Sequence, residues 1–179
     1  MDIYSVVAGG ALAMAGGALT QWMTHIFSAR REQHKLLREK AEMICEQLEE
    51  LTRWVTERRA KALALEPDSE TLPPFGKLVA LQSLYFREAS DEVQHFGYKA
   101  VAVMEAISGA FSALTLANFD LTIAQQKGEG VQAAMDTYKG LRDKHFAIVS
   151  SAGNEFVKAS QLVSQKVIAL VATATGAQR

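Results

Sequence analysis

One cysteine and three prolines are all that 179 residues contain of either. A single Cys45 excludes an internal disulfide framework and fits a reducing compartment, where a thiol on a helix surface needs no further role. The prolines are Pro67, Pro73 and Pro74, so nothing upstream of them breaks a helix. Charge of one sign is also missing. A net charge of -1 excludes the basic balance of a nucleic-acid binder, and 49% apolar with 22% charged residues excludes a disordered tail. No glycine-rich phosphate loop, nucleophile elbow or Cys/His zinc spacing occurs, and no run reads convincingly as a strand. The chain is therefore expected to be all-α and non-enzymatic, with no cofactor and no metal.

Between Asp2 and Arg30 the chain lacks Lys, Arg, Asp and Glu altogether, with His25 the one side chain that could carry a charge near neutral pH. Some 25 residues at about 1.5 Å rise give roughly 37 Å of helix, enough to cross a hydrocarbon core of about 30 Å with some tilt. Tyr4 and Trp22 suit the two interfaces. No Lys or Arg precedes the stretch, whereas Arg30, Arg31, Lys35, Arg38 and Lys40 follow it. That bias predicts an amino terminus outside and a body in the cytoplasm of a bacterial inner membrane. A cleaved signal peptide needs a basic beginning, which Met1-Asp2 does not supply. A buried helix of a soluble protein is the other alternative, because Gly9, Gly10, Gly16 and Gly17 lower both hydrophobicity and helix propensity.

The residues beyond suit one domain, 28–179. From 28 to 65 there is neither Gly nor Pro, and Leu37, Ala41, Ile44, Leu48, Leu51 and Val55 recur at alternating spacings of four and three. This heptad-like seam predicts a juxtamembrane helix over 28–65, continuous with the membrane helix 1–27 in one long rod. The rod stops at Glu66-Pro67, and 66–75 reads as a linker. Bundle helices are expected over 76–126 and 131–174, separated by Gly128-Glu129-Gly130, in an antiparallel arrangement. Ser90-Asp91-Glu92 reads as either a surface turn or a helix N-cap with acids in the first turn. Between Lys99 and Asp120 the only charge is Glu105, which raises a second span; a Glu at mid-membrane is costly, so a central bundle helix is the better reading.

Placed about 100° apart, the first helix has two faces. Gly9, Gly10, Ala13, Gly16, Gly17, Thr20, Gln21 and Thr24 share one side; Leu12, Leu19, Trp22, Met23 and Ile26 lie opposite. Lipid tails gain nothing from glycine, whereas small residues let neighbouring helices approach and hydroxyls find partners. The stripe is thus a candidate surface for self-association. In a small oligomer it is buried and dry; in a larger ring it faces a lumen, with the seam below acting as a collar. A tolerated Gly/Ala-rich anchor is the plainer alternative. Tyr4, Trp22, Arg30, Arg31 and Lys35 are the expected interface anchors, the basic ones meeting anionic lipid.

Catalytic constellations are thin. Glu92-x-x-His95 has the spacing of half a di-iron site, but no second such motif exists. Some helical nucleases of bacterial defence place four to six residues between an Arg and a His, whereas Arg30 and His34 enclose three, Arg142 and His145 two, and Arg87 and His95 seven, so a divergent RNase-like domain stands last.

The Gly/Ala-rich span with Arg30-Arg31 and the charged helix to Lys40, together with Leu84-Tyr85-Phe86-Arg87-Glu88 after the prolines, resembles small bacterial membrane-anchored helical proteins of anti-phage and CRISPR-accessory systems. The resemblance implies a cytoplasmic bundle driving a ring of spans that permeabilises the inner membrane. Two functions are accordingly expected: a homo-oligomeric pore-forming effector gated by its bundle, or a membrane-tethered adaptor that recruits a cytoplasmic protein and never conducts. The partners expected are the lipid bilayer, further copies of the chain and a cytoplasmic protein, with no nucleic acid.

Overall fold

The computed structural model describes residues 3–66 and 75–176, with side chains from Gln21 onward. Among these residues the protein is all-helical: α1 (Ile3–Ala64), α2 (Phe75–Tyr85), a 3-10 turn (Arg87–Ala89), α3 (Ser90–Lys127) and α4 (Val131–Thr175). The 62 residues of α1 make a helix roughly 93 Å long. It ends where Leu65 turns left-handed, at φ 56°. There the Glu66 N–H donates to the Lys61 carbonyl at 2.9 Å, capping the last turn before Pro67 makes continuation impossible.

Between α2 and α3 the chain breaks without a glycine or proline. Phe86 leaves helical geometry (φ -135°, ψ 54°) and inserts its ring into the core, 3% exposed. The Phe86 carbonyl accepts from the Ala89 N–H at 2.9 Å, and the buried Gln82 amide donates to it as well at 3.3 Å. Ser90 is the first residue of α3 and caps nothing with its hydroxyl; Asp91 and Glu92 in the first turn answer the helix dipole instead. At the other end Gly128 and Gly130 both take positive φ, 71° and 67°, which other residues adopt only at a cost. This lets α4 fold straight back along α3.

Residue numbers run in opposite senses along the α3–α4 contact. Glu92 meets Lys166 at 3.5 Å and Lys99 meets Glu155 at 3.6 Å. Along α1 and α4 they also oppose, since the Cys45 thiol lies 4.0 Å from the Ser164 hydroxyl and Arg59 lies over Phe146 and beside Gly153. Against α3 the sense of α1 is the same: Lys40 sits over Tyr85 at the chain's entry to α3, and Arg58 and Ala62 share a hollow with Met104 and Ile107.

The core fills from this arrangement. Ile44, Leu48, Leu51 and Val55 of α1 are at most 5% exposed and meet Leu78, Phe96, Val103, Phe156, Val163 and Val167. Phe96 sits at the centre, 4.8 Å from the Phe156 ring and 5.8 Å, edge-on, from Phe75. Each such side chain contributes about 1.5–3 kcal/mol by leaving water. The heptad-like seam is therefore consumed inside one chain. Leu37 packs against the same core while half-buried, and the seam offers no face for an inter-chain collar. A heptad pattern states that a face is covered but not by whose helix, and here the covering helices belong to the same chain.

Candidate functional site

Two parts of α1 divide at Leu37. From Ala41 to Val55 every third or fourth side chain is buried, yet none of residues 21–36 is. Trp22, Met23 and Phe27 are 62%, 50% and 54% exposed. Helical backbone runs on from them to Ile3 with no break. Gln21, Thr24, His25, Arg30, Arg31 and Lys35 are all exposed, with Lys35 reaching Glu39 at 3.9 Å and the Ser28 hydroxyl donating to the His25 carbonyl at 3.0 Å. The side chains of Tyr4, Gly9, Gly10, Ala13, Gly16, Gly17 and Thr20 lie outside the described ones. Of the small-residue stripe the structure therefore shows the backbone throughout and the side chains of Gln21 and Thr24.

Apolar length by itself marks a different helix. Among the described residues, the one long and apolar enough to cross a membrane is the stretch Arg87–Lys127 that contains α3. The core helix of a soluble bundle passes the same test, and α3 is packed on α4 through Val93, Phe96, Ala100, Val103 and Ile107.

A groove of about 820 Å³ between α1 and α4 is lined by Cys45, Arg53, Glu57, Gln161, Ser164 and others, a mixed surface without a histidine. Cys45 is half-buried, and its thiol lies 4.0 Å from the Ser164 hydroxyl, which is no base to activate it. A second hollow of about 610 Å³, between α2 and α3, is more apolar, with Phe75, Val79, Val93, Tyr98 and Val101 around it. Glu92 of the Glu92-x-x-His95 pair is turned to Lys166 while His95 is exposed, and no three His, Cys, Asp or Glu residues gather among the described residues.

The electrostatics are those of a solvated bundle. The Glu155 carboxyl is held below the usual carboxylate range, first by its hydrogen bond from Lys158 at 2.8 Å and that residue's charge, then by Lys99 across the helix contact. No sequence signal announced the Glu155–Lys99 and Glu92–Lys166 bridges, because each joins residues more than fifty positions apart.

No protein-family model matches the chain, and neither a curated protein nor a solved structure matches it.

Proposed function

We infer that the chain is a homo-oligomeric membrane protein: α1 crosses the inner membrane with its amino terminus outside, and an antiparallel bundle stands on the cytoplasmic side. The spans associate through Gly9, Gly10, Ala13, Gly16, Gly17, Thr20, Gln21 and Thr24, and line or seal a pore that the bundle gates. A role in anti-phage defence follows from the resemblance. The observation that carries the reading is α1 before Leu37: a helix that continues out of its bundle, presents Trp22, Met23 and Phe27 to the surroundings, and has no buried side chain over residues 21–36. Exposed apolar surface of this extent on a continuous helix calls for lipid or another chain.

The experiment is fractionation followed by flux. The full-length chain is expected to stay with membranes through an alkaline wash, to run as an oligomer in mild detergent, and to release a trapped dye from liposomes of anionic lipid. Gly17→Leu is expected to reduce the leak at least tenfold while leaving the protein in the membrane fraction. Recovery of the chain in the soluble fraction sinks the membrane reading, and a membrane-bound monomer sinks self-association.

An adaptor that binds a cytoplasmic protein without conducting is the second reading, favoured by the open apolar hollow between α2 and α3. It is selected if the chain is oligomeric and membrane-bound, never leaks dye, and Gly17→Leu changes neither property.

A further inference from the structure

The outer side of α3 has a feature that the bundle does not explain. Only 33% of its most apolar stretch is buried. Opposite the buried face, Tyr98, Val101, Leu116 and Phe119 are 65%, 58%, 65% and 62% exposed. Between the two pairs the exposed surface is small and weakly polar, Ser108, Gly109 and Ser112, with Glu105 as the sole charge between Lys99 and Asp120. At Gly109 an added methyl group meets nothing within 4 Å, so no contact inside the chain demands a glycine. In mid-helix it nonetheless weakens α3 relative to alanine.

We propose that this face of α3 pairs with the same face of a second copy, antiparallel, about a two-fold axis between Ser108 and Gly109. The spacing is self-complementary around that point. Tyr98 falls opposite Phe119 of the other copy, Val101 opposite Leu116, Glu105 opposite Ser112, and Ser108 opposite Gly109. On the helix wheel the members of each pair lie equal angles to either side of the stripe's midline, as antiparallel helices require. Large side chains meet at the two ends while small ones at the middle let the backbones come close. The Glu105 carboxylate accepts from the Ser112 hydroxyl. A parallel pair sets Glu105 against Glu105, a like-charge contact that disfavours it.

Four aromatic rings, at about 150–250 Å² each when fully covered, with two Val101 and two Leu116 side chains, bring the contact to roughly 1,000 Å², where specific interfaces begin. A copy of this chain suits the face better than a lipid surface, since the acid and hydroxyls at the middle of the stripe find partners on another copy and none among acyl chains.

The pair has a consequence for α1. Because α1 and α3 run in the same sense, the two amino-terminal extensions leave the pair from opposite ends. Ser90, near which each extension departs, is about 28 Å along α3 from the axis, so the exits are roughly 55 Å apart. Chains anchored side by side in one bilayer cannot form this contact. It holds first helices apart, and so competes with any assembly in which they come together. The pair rests on α3 alone, and it and a side-by-side assembly in one bilayer are mutually exclusive states of the chain.

Disulfide trapping on the purified full-length chain, in a Cys45→Ser background, tests it. Val101→Cys with Leu116→Cys is expected to give a covalent dimer under mild oxidation in detergent solution, whereas Leu116→Cys alone gives at least tenfold less. Adding Gly109→Leu to the double variant is expected to reduce the dimer at least tenfold without lowering the melting temperature, since its side chain points into open space. Equal trapping by Leu116→Cys alone overturns the antiparallel arrangement. No dimer from the double variant, in protein whose circular dichroism shows it folded, overturns the pair altogether and assigns the face to lipid or another protein. Gly17→Leu leaves the trapping unchanged, which separates this result from the fate of the membrane reading.

Discussion

Residues 21–36 and 41–62 belong to one helix of one sequence, yet the first set has no buried side chain and the second builds the core. Trp22 and Phe27 stand exposed a few turns from Ile44 and Leu51, which are wholly buried. The contrast shows that apolar content does not assign a helix to a core. What assigns it is whether other elements reach that far along the axis. Here α2, the 3-10 turn and the end of α4 stop near Leu37, where Leu84, Tyr85 and Leu170 close the base of the bundle.

The sharpest way to break this contrast is to place the same charge in both regions. Leu51→Asp is expected to abolish cooperative folding, because a carboxylate with no partner would replace a fully buried side chain. Met23→Asp is expected to leave the thermal melt of the bundle unchanged and to weaken membrane retention. Circular dichroism melts and the alkaline wash read the two outcomes; a large loss of melting temperature from Met23→Asp would show that α1 packs before Leu37 after all.

Phe96→Ala follows in size. Removing the ring shared by Phe75 and Phe156 is expected to cost about 3–5 kcal/mol, read as a lower denaturation midpoint at unchanged slope. Gly128→Ala is expected to cost about 1 kcal/mol, since the position holds φ 71°. A cost near zero would mean that the α3–α4 turn relaxes freely.

Glu155→Gln is the smallest. Its carboxyl is held below the ordinary range, so the stability it lends is present above the unfolded value and is lost as pH falls through the folded one. The variant is expected to differ slightly from the parent near neutrality and to match it in acid. Because the group is exposed, solvent screens the pairing, and a loss that persisted at low pH would point to packing instead of charge.

Much of the fold was legible. The ends near Glu66 and at Gly128-Glu129-Gly130 were written in proline and glycine, and the seam from Ala41 to Val55 is buried at the spacing read. The break at Phe86 was not legible, because no breaker residue marks it: what sets it apart is the burial of its ring in the core that the helices form together. Of the candidate site, the charge-free stretch and the basic run were plain in the sequence. The Tyr98 to Phe119 face was not, since its residues differ from core residues only in lacking a neighbour. The short Ser90-Asp91-Glu92 motif left turn and helix start equally open; the structure makes it the first turn of α3.

By itself the sequence determined helix, and where helix must stop, since these follow from local backbone chemistry and from side chains a few positions apart. It also determined which faces are too apolar to remain in water. Tertiary structure alone decided which of those faces the chain covers for itself, the α1 seam against α3 and α4, and which it leaves to something else. Burial depends on the distance at which other helices end, a property of no single window of residues.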